Sequence, residues 1–224
     1  MNATDSLEQL LAERNDLWRG RQRRPGNALA TGRAALDRRL PDGGWPRGKL
    51  IELLPERFGV GELDLLLPCL AELTRHERQV LFIAPPLVPC PQSLARAGLD
   101  LTRLLIVREQ KQAFWAAEQC LKSGLCGALA VWPHGNSSGN GSNSGAVSER
   151  AVRRLQLAAE NGDAPVFLCY APGSRPPASL ASLRLAIRCG GHIEILRSRG
   201  GETAGTIKLH ADNVVPLASA GTRQ

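Results

Sequence analysis

Aromatic side chains are scarce in this sequence, at 4% of its 224 residues. The apolar mass is Leu, Ala and Val instead, which suits helices packed on aliphatic strands better than an aromatic-rich β-sandwich. No apolar run approaches the roughly 20 residues that span a bilayer, so no membrane partner is expected. The first residues, MNATDSLEQLLAERNDLWRGRQRR, are polar and amphipathic. They lack the apolar stretch and small-residue cleavage site of a secretory leader. The expectation is a cytoplasmic protein with reduced thiols. The cysteines, Cys69, Cys90, Cys120, Cys126, Cys169 and Cys189, include no C-x-x-C pair. With the equally scattered His76, His134, His192 and His210 they offer no metal-ligand spacing, and neither a metal nor another cofactor is expected.

What is present is an ordinary globular composition, 43% hydrophobic and 22% charged, enough to bury one sizeable core. The net charge of +7 favours polyanionic partners through field effects and counterion release.

Residues 5–18 place Leu7, Leu10, Leu11 and Trp18 at helical spacing. The run Arg19, Arg21, Arg23, Arg24 and then Pro25-Gly26 ends that pattern. Residues 1–27 therefore read as a helical arm with a basic linker, 28–213 as the main domain and 214–224 as a loose tail. Within the domain, short apolar runs at 49–54, 79–84, 104–107, 127–132 and 165–170 predict buried strands. Helical patterns at 62–73, 109–122 and 147–160 lie between them. Pro68 should kink the first of these helices or end its first part. The Gly/Ser/Asn stretch 136–145 predicts a loop. Residues 183–188, 191–198 and 206–210 alternate apolar and polar residues, which predicts antiparallel strands at one end of the sheet. The fold expected is α/β, a mostly parallel sheet flanked by helices.

Thr31-Gly32, Leu36-Asp37, Leu40, Gly43-Gly44, Pro46, Gly48 and Glu52 resemble the entry segment of RecA-family recombinases, which leads into the strand before the P-loop. Arg184-Leu-Ala-Ile-Arg188 is similar to the strand after the second DNA-binding loop of RecA. The likeness covers residues 28–210 and implies a RecA-like core. The phrases GGWPRGKLIELL, GVGELDLLLP, AGLDLTRLLIV and WAAEQCLKSGLCGALAVW look like one branch of that superfamily. The branch is that of ImuA, a translesion DNA synthesis-associated protein, with its relative SulA, the SOS cell-division inhibitor.

A working P-loop needs a Lys on the β- and γ-phosphates and a hydroxyl on Mg²⁺. At the matching turn Gly59 and Gly61 keep the glycines, but Glu62 stands in place of the Lys and Leu63 in place of the hydroxyl. Like charges a few ångströms apart repel by about 4 kcal/mol at an effective dielectric of 20. Glu62 suits the positive end of its own helix instead. Trp132 follows the strand where an Asp that anchors Mg²⁺ is expected, and Pro85-Pro86 occupy the place of the catalytic acid. The resemblance with these departures implies a pseudo-ATPase, not an active enzyme.

The candidate cationic contacts to single-stranded DNA are Arg19, Arg21, Arg23 and Arg24 in the arm, Arg150, Arg153 and Arg154 on a helix, and Arg175 in the second loop. Leu7, Leu10, Leu11 and Trp18 are candidate partner contacts. The resemblance implies work with an ImuB-type Y-family polymerase homologue, an error-prone replicative-type DNA polymerase and RecA. Two alternatives stay open: a SulA-like inhibitor of the tubulin-like division protein FtsZ, and a weak DNA-dependent ATPase.

Overall fold

A computed structural model describes residues 28–133, 147–174, 176, 181–200 and 205–208. The predicted arm with Leu7, Leu10, Leu11, Trp18 and its four arginines, the 136–145 stretch, Arg175 and the tail lie outside these residues. Three short elements open the domain: β1 (Ala28–Leu29), α1 (Ala34–Asp37) and β2 (Trp45–Pro46). There follow β3 (Leu50–Pro55), α2 (Glu62–Arg75), β4 (Gln79–Ile83), α3 (Pro91–Arg96), β5 (Leu104–Val107), α4 (Ala113–Lys122), β6 (Cys126–Val131), α5 (Glu149–Gly162) and β7 (Val166–Cys169). The chain then runs through β8 (Leu183–Arg188), β9 (His192–Ser198) and β10 (Thr206–Lys208).

The main sheet has eight strands in the order β10-β9-β8-β3-β7-β6-β4-β5. From β8 to β5 every neighbouring pair is parallel, and β9 and β10 add on antiparallel. The apolar runs predicted as strands are strands. Of the three expected antiparallel, β8 pairs parallel with β3 on one side and antiparallel with β9 on the other. β5 is the edge strand and only half-buried, with Leu105 52% exposed, where a buried strand is predicted.

Alternate residues of β3 feed two apolar layers, as the two-residue period of a strand requires. Ile51 and Leu53 join Leu36, Leu40, Trp45, Phe82, Trp132 and the inner side of α2 in one. Leu50 joins Leu81, Ile83, Val131 and the inner sides of α4 and α5 in the other. Helices on both faces and a buried parallel centre are the architecture expected of the RecA-like core.

The entry segment is a structural brace. The Thr31 backbone N–H donates to the Asp37 carboxylate at 2.9 Å, while Leu36, Leu40 and Trp45 are fully buried. Trp45 meets Phe167 of β7 edge to face, centroids 5.2 Å apart. Gly44 lies so close to Leu29 that a Cβ would sit 2.2 Å from its carbonyl oxygen.

The same segment accounts for a difference at Pro68. The predicted break is absent, and α2 runs unbroken from Glu62 to Arg75. A proline inside a helix supplies no N–H to the carbonyl four residues back, here that of Asp64. The Arg33 guanidinium donates to that carbonyl at 3.4 Å. Gly32, with φ +76°, lies against the proline ring, and a Cβ built there would meet Pro68 Cβ at 2.3 Å. Gly32→Ala is expected to lose about 2 kcal/mol or more, from the left-handed backbone and the overlap together. Urea unfolding measures it, and a loss below about 0.5 kcal/mol would mean that residues 31–33 do not dock on α2.

Candidate functional site

In an open parallel sheet, ligands bind beyond the carboxyl ends of the strands, where successive helices leave to opposite faces. Here α2 leaves β3 to one face, while α5 connects the neighbouring β6 and β7 across the other. The β3–α2 turn, residues 56–61, sits at that point.

Glycine conformations shape the turn: Gly59 has φ +77° and Gly61, at the helix N-cap, φ +98°, both with open space around them. Glu62 is the first residue of α2, and its carboxylate bends back to accept the Gly59 N–H at 3.1 Å. The other carboxylate oxygen is buried without a hydrogen-bond partner among the described residues. The Gly59 amide at this helix N-terminus is thus engaged by a carboxylate of the chain itself. Leu63 and Val60 pack against the apolar layer under α2. Position 63 therefore carries a half-buried apolar side chain with no hydroxyl.

The turn is also tied to the β8–β9 connection. The Cys189 N–H donates to the Glu56 carboxylate at 3.0 Å, and this hydrogen bond holds the Glu56 carboxyl below its usual range, helped by the Arg188 and Arg57 charges. The Glu56 N–H in turn donates to the Ile187 carbonyl at 2.8 Å.

Beyond β6, Trp132 is buried and stands edge to face against Phe82 of β4, centroids 5.5 Å apart. Its backbone N–H donates to the Ile83 carbonyl at 3.0 Å. The indole belongs to the same apolar layer as Leu53 and Leu66. After β4, Ala84 takes φ +53° and the Pro85-Pro86 segment turns outward, leaving Leu87 and Val88 exposed. Among the described residues no group of His, Cys, Asp and Glu could hold a metal ion, and no helix is long and apolar enough to cross a membrane. Burial pushes the Cys69 and Cys126 thiols up to about 12, so they behave as small apolar side chains.

Of the candidate cations within the described residues, Arg150 and Arg153 are exposed on α5. Arg154 is engaged: its guanidinium lies 2.7 Å from the carboxylate of the buried Glu118 on α4.

One polar cluster escapes a reading of the sequence. Glu52, fully buried in the middle of β3, accepts from Arg184 Nε at 2.6 Å and from the Tyr170 hydroxyl at 3.2 Å. Burial pushes the Tyr170 hydroxyl up, and the adjacent carboxylate adds to it. Glu52 and Arg184 both fall within the motifs that carry the resemblance, but only the β3–β8 register shows that they are a pair.

Comparison with known proteins places this geometry. No protein-family profile matches the chain. It is 31% identical to the protein RecA of Brevibacillus brevis over 108 residues, 47% of this chain and 30% of that protein. To the protein RecA of Halalkalibacterium halodurans it is 30% identical over 108 residues, with the same coverage. The match thus spans under a third of the length of these relatives, and over that stretch the chain is RecA-like.

Proposed function

We propose that this RecA-like chain is a non-catalytic accessory protein of SOS-induced translesion DNA synthesis. In this reading it acts by binding an ImuB-type polymerase homologue, RecA or DNA, and it has given up ATP turnover. The observation that carries the loss of turnover is the Glu62 carboxylate seated on the Gly59 amide. It puts a negative charge where a triphosphate would bring its own, at the N-terminus of α2, which would otherwise favour an anion. Trp132 supports the same reading from the far side of the site, since an indole packed on Phe82 supplies no metal ligand. The role in translesion synthesis and the partners follow from the resemblance of the sequence phrases.

Two measurements test it. The purified chain is expected to show no ATP hydrolysis above background, with or without single-stranded DNA, and Glu62→Lys alone should not restore it because Leu63 and Trp132 remain. DNA-stimulated hydrolysis by the unaltered chain would remove the non-catalytic reading. Co-purification should capture the ImuB-type homologue or RecA in the absence of nucleotide. Capture of the division protein FtsZ instead would assign the chain to the SulA-like alternative.

A further inference from the structure

The outer face of α4 and α5 carries side chains that the proposed function leaves unused. Trp115, Glu118 and Lys122 stand three and four positions apart and share one side of α4. Arg150, Arg154 and Leu157 do the same on α5. The two rows are joined, because the Arg154 guanidinium lies 2.7 Å from the Glu118 carboxylate, and both helices cover the same apolar layer. Glu118 is buried beneath that contact, so the carboxylate between the rows is covered and neutralised.

With Glu118 covered, the exposed charges in these rows are cationic. Trp115 is 55% exposed on α4, and Leu157 is exposed on α5. Lys122, Arg150 and Arg153 are exposed and have no ion-pair partner among the described residues. An exposed indole on a helix pair that also carries exposed cations fits a ligand that alternates planar rings with phosphates. Bases stack on the aromatic face whatever their identity, and flanking phosphates take the positive charges. An acidic peptide would satisfy the cations but leave the indole without a stacking partner.

We propose that the α4–α5 face binds single-stranded nucleic acid without sequence preference, with a base on Trp115 and phosphates at Arg150, Arg153 and Lys122. This deepens the proposed function and rests on it for its setting. Arg154 acts as a positioning residue that covers Glu118 and keeps a negative charge away from the strand.

The test uses the full chain and a fluorescein-labelled oligothymidylate of about 20 nucleotides, somewhat longer than one small binding site. Anisotropy titrations across a range of salt concentrations compare the unaltered chain with Trp115→Ala, Trp115→Phe and the double variant Arg150→Ala/Arg153→Ala. Circular dichroism verifies that each exposed-residue variant is folded. Trp115→Ala should weaken binding on the order of tenfold, while Trp115→Phe keeps most of it. The double variant should make the plot of log affinity against log salt shallower by about 1.4, or about 0.7 for each phosphate no longer neutralised. No binding by the unaltered chain, or affinity untouched by all three variants, would overturn the proposal. So would a polyglutamate peptide that competes fully and depends on the arginines but not on Trp115, since the face would then belong to an acidic peptide. Polymerase-homologue capture by the same variants separates the two readings. Capture that persists in variants unable to bind DNA supports both, and capture missing from the unaltered chain overturns the proposed function alone.

Discussion

Arg184→Met should lose about 3 to 5 kcal/mol of unfolding free energy, the loss typical of a buried ion pair broken from one side. Glu52 has no exposed surface, and its two oxygens are held by Arg184 and Tyr170. With the guanidinium removed, the carboxylate keeps one hydroxyl donor and no opposite charge in the middle of the central strand. It must then protonate or draw water into the layer under α4 and α5, and either costs free energy. The pair itself is a different matter, because two charges are desolvated to form it and much of their attraction is offset. The triple variant Glu52→Leu/Arg184→Met/Tyr170→Phe, which leaves no buried hydroxyl without an acceptor, should accordingly stand close to the unaltered chain and well above the single variant. Urea unfolding of the three proteins measures this. A single variant within about 1 kcal/mol of the unaltered chain would show that Glu52 is solvated in solution.

That pair marks the boundary of what can be read from the sequence. The strands are legible because runs such as 80–84 and 127–132 are continuously apolar and have no polar side to present, so they must lie in a sheet covered on both faces. The α2 start is legible as well, since a glycine turn meets a leucine repeat at Glu62. The partner of Glu52 is 132 positions away in sequence, and only the register of two neighbouring strands brings it alongside. Pro68 is read locally as a helix breaker because its compensation, Arg33 and Gly32, comes from another part of the chain. The helices α1 and α3, four and six residues long, are too short to show a period. Arg154 has the composition of a free cation, and its commitment to Glu118 depends on how two helices pack. In the candidate site the residue types are visible in sequence, but the seat of the Glu62 carboxylate on Gly59 is a matter of turn geometry.

Trp132→Asp puts after β6 the acidic residue that the proposed reading takes to be missing, and it should unfold the domain instead of repairing a site. The indole is 8% exposed and stands edge to face on Phe82. Removing a buried Trp side chain costs about 3 to 5 kcal/mol in lost transfer energy and residual cavity. The carboxylate put in its place adds a desolvation cost of its own, with Phe82, Leu53 and Leu66 in the layer around it. The sum is on the order of the whole 5 to 15 kcal/mol by which a domain is stable. Mg²⁺ should not reverse the loss, because Leu63 supplies no hydroxyl and Glu62 already holds the turn amide. Trp132→Phe, which keeps an aromatic edge against Phe82, should cost only about 1 to 2 kcal/mol. The measurements are thermal unfolding of both variants with and without Mg²⁺, followed by ATP binding. If Trp132→Asp were as stable as the unaltered chain and bound ATP with Mg²⁺, the indole would be a plug over a working metal position. Position 132 would then count against the non-catalytic reading. If the variant unfolds as expected, the indole is part of the core. An acid at this position would then require β4 and β6 to repack around it, which one substitution does not supply.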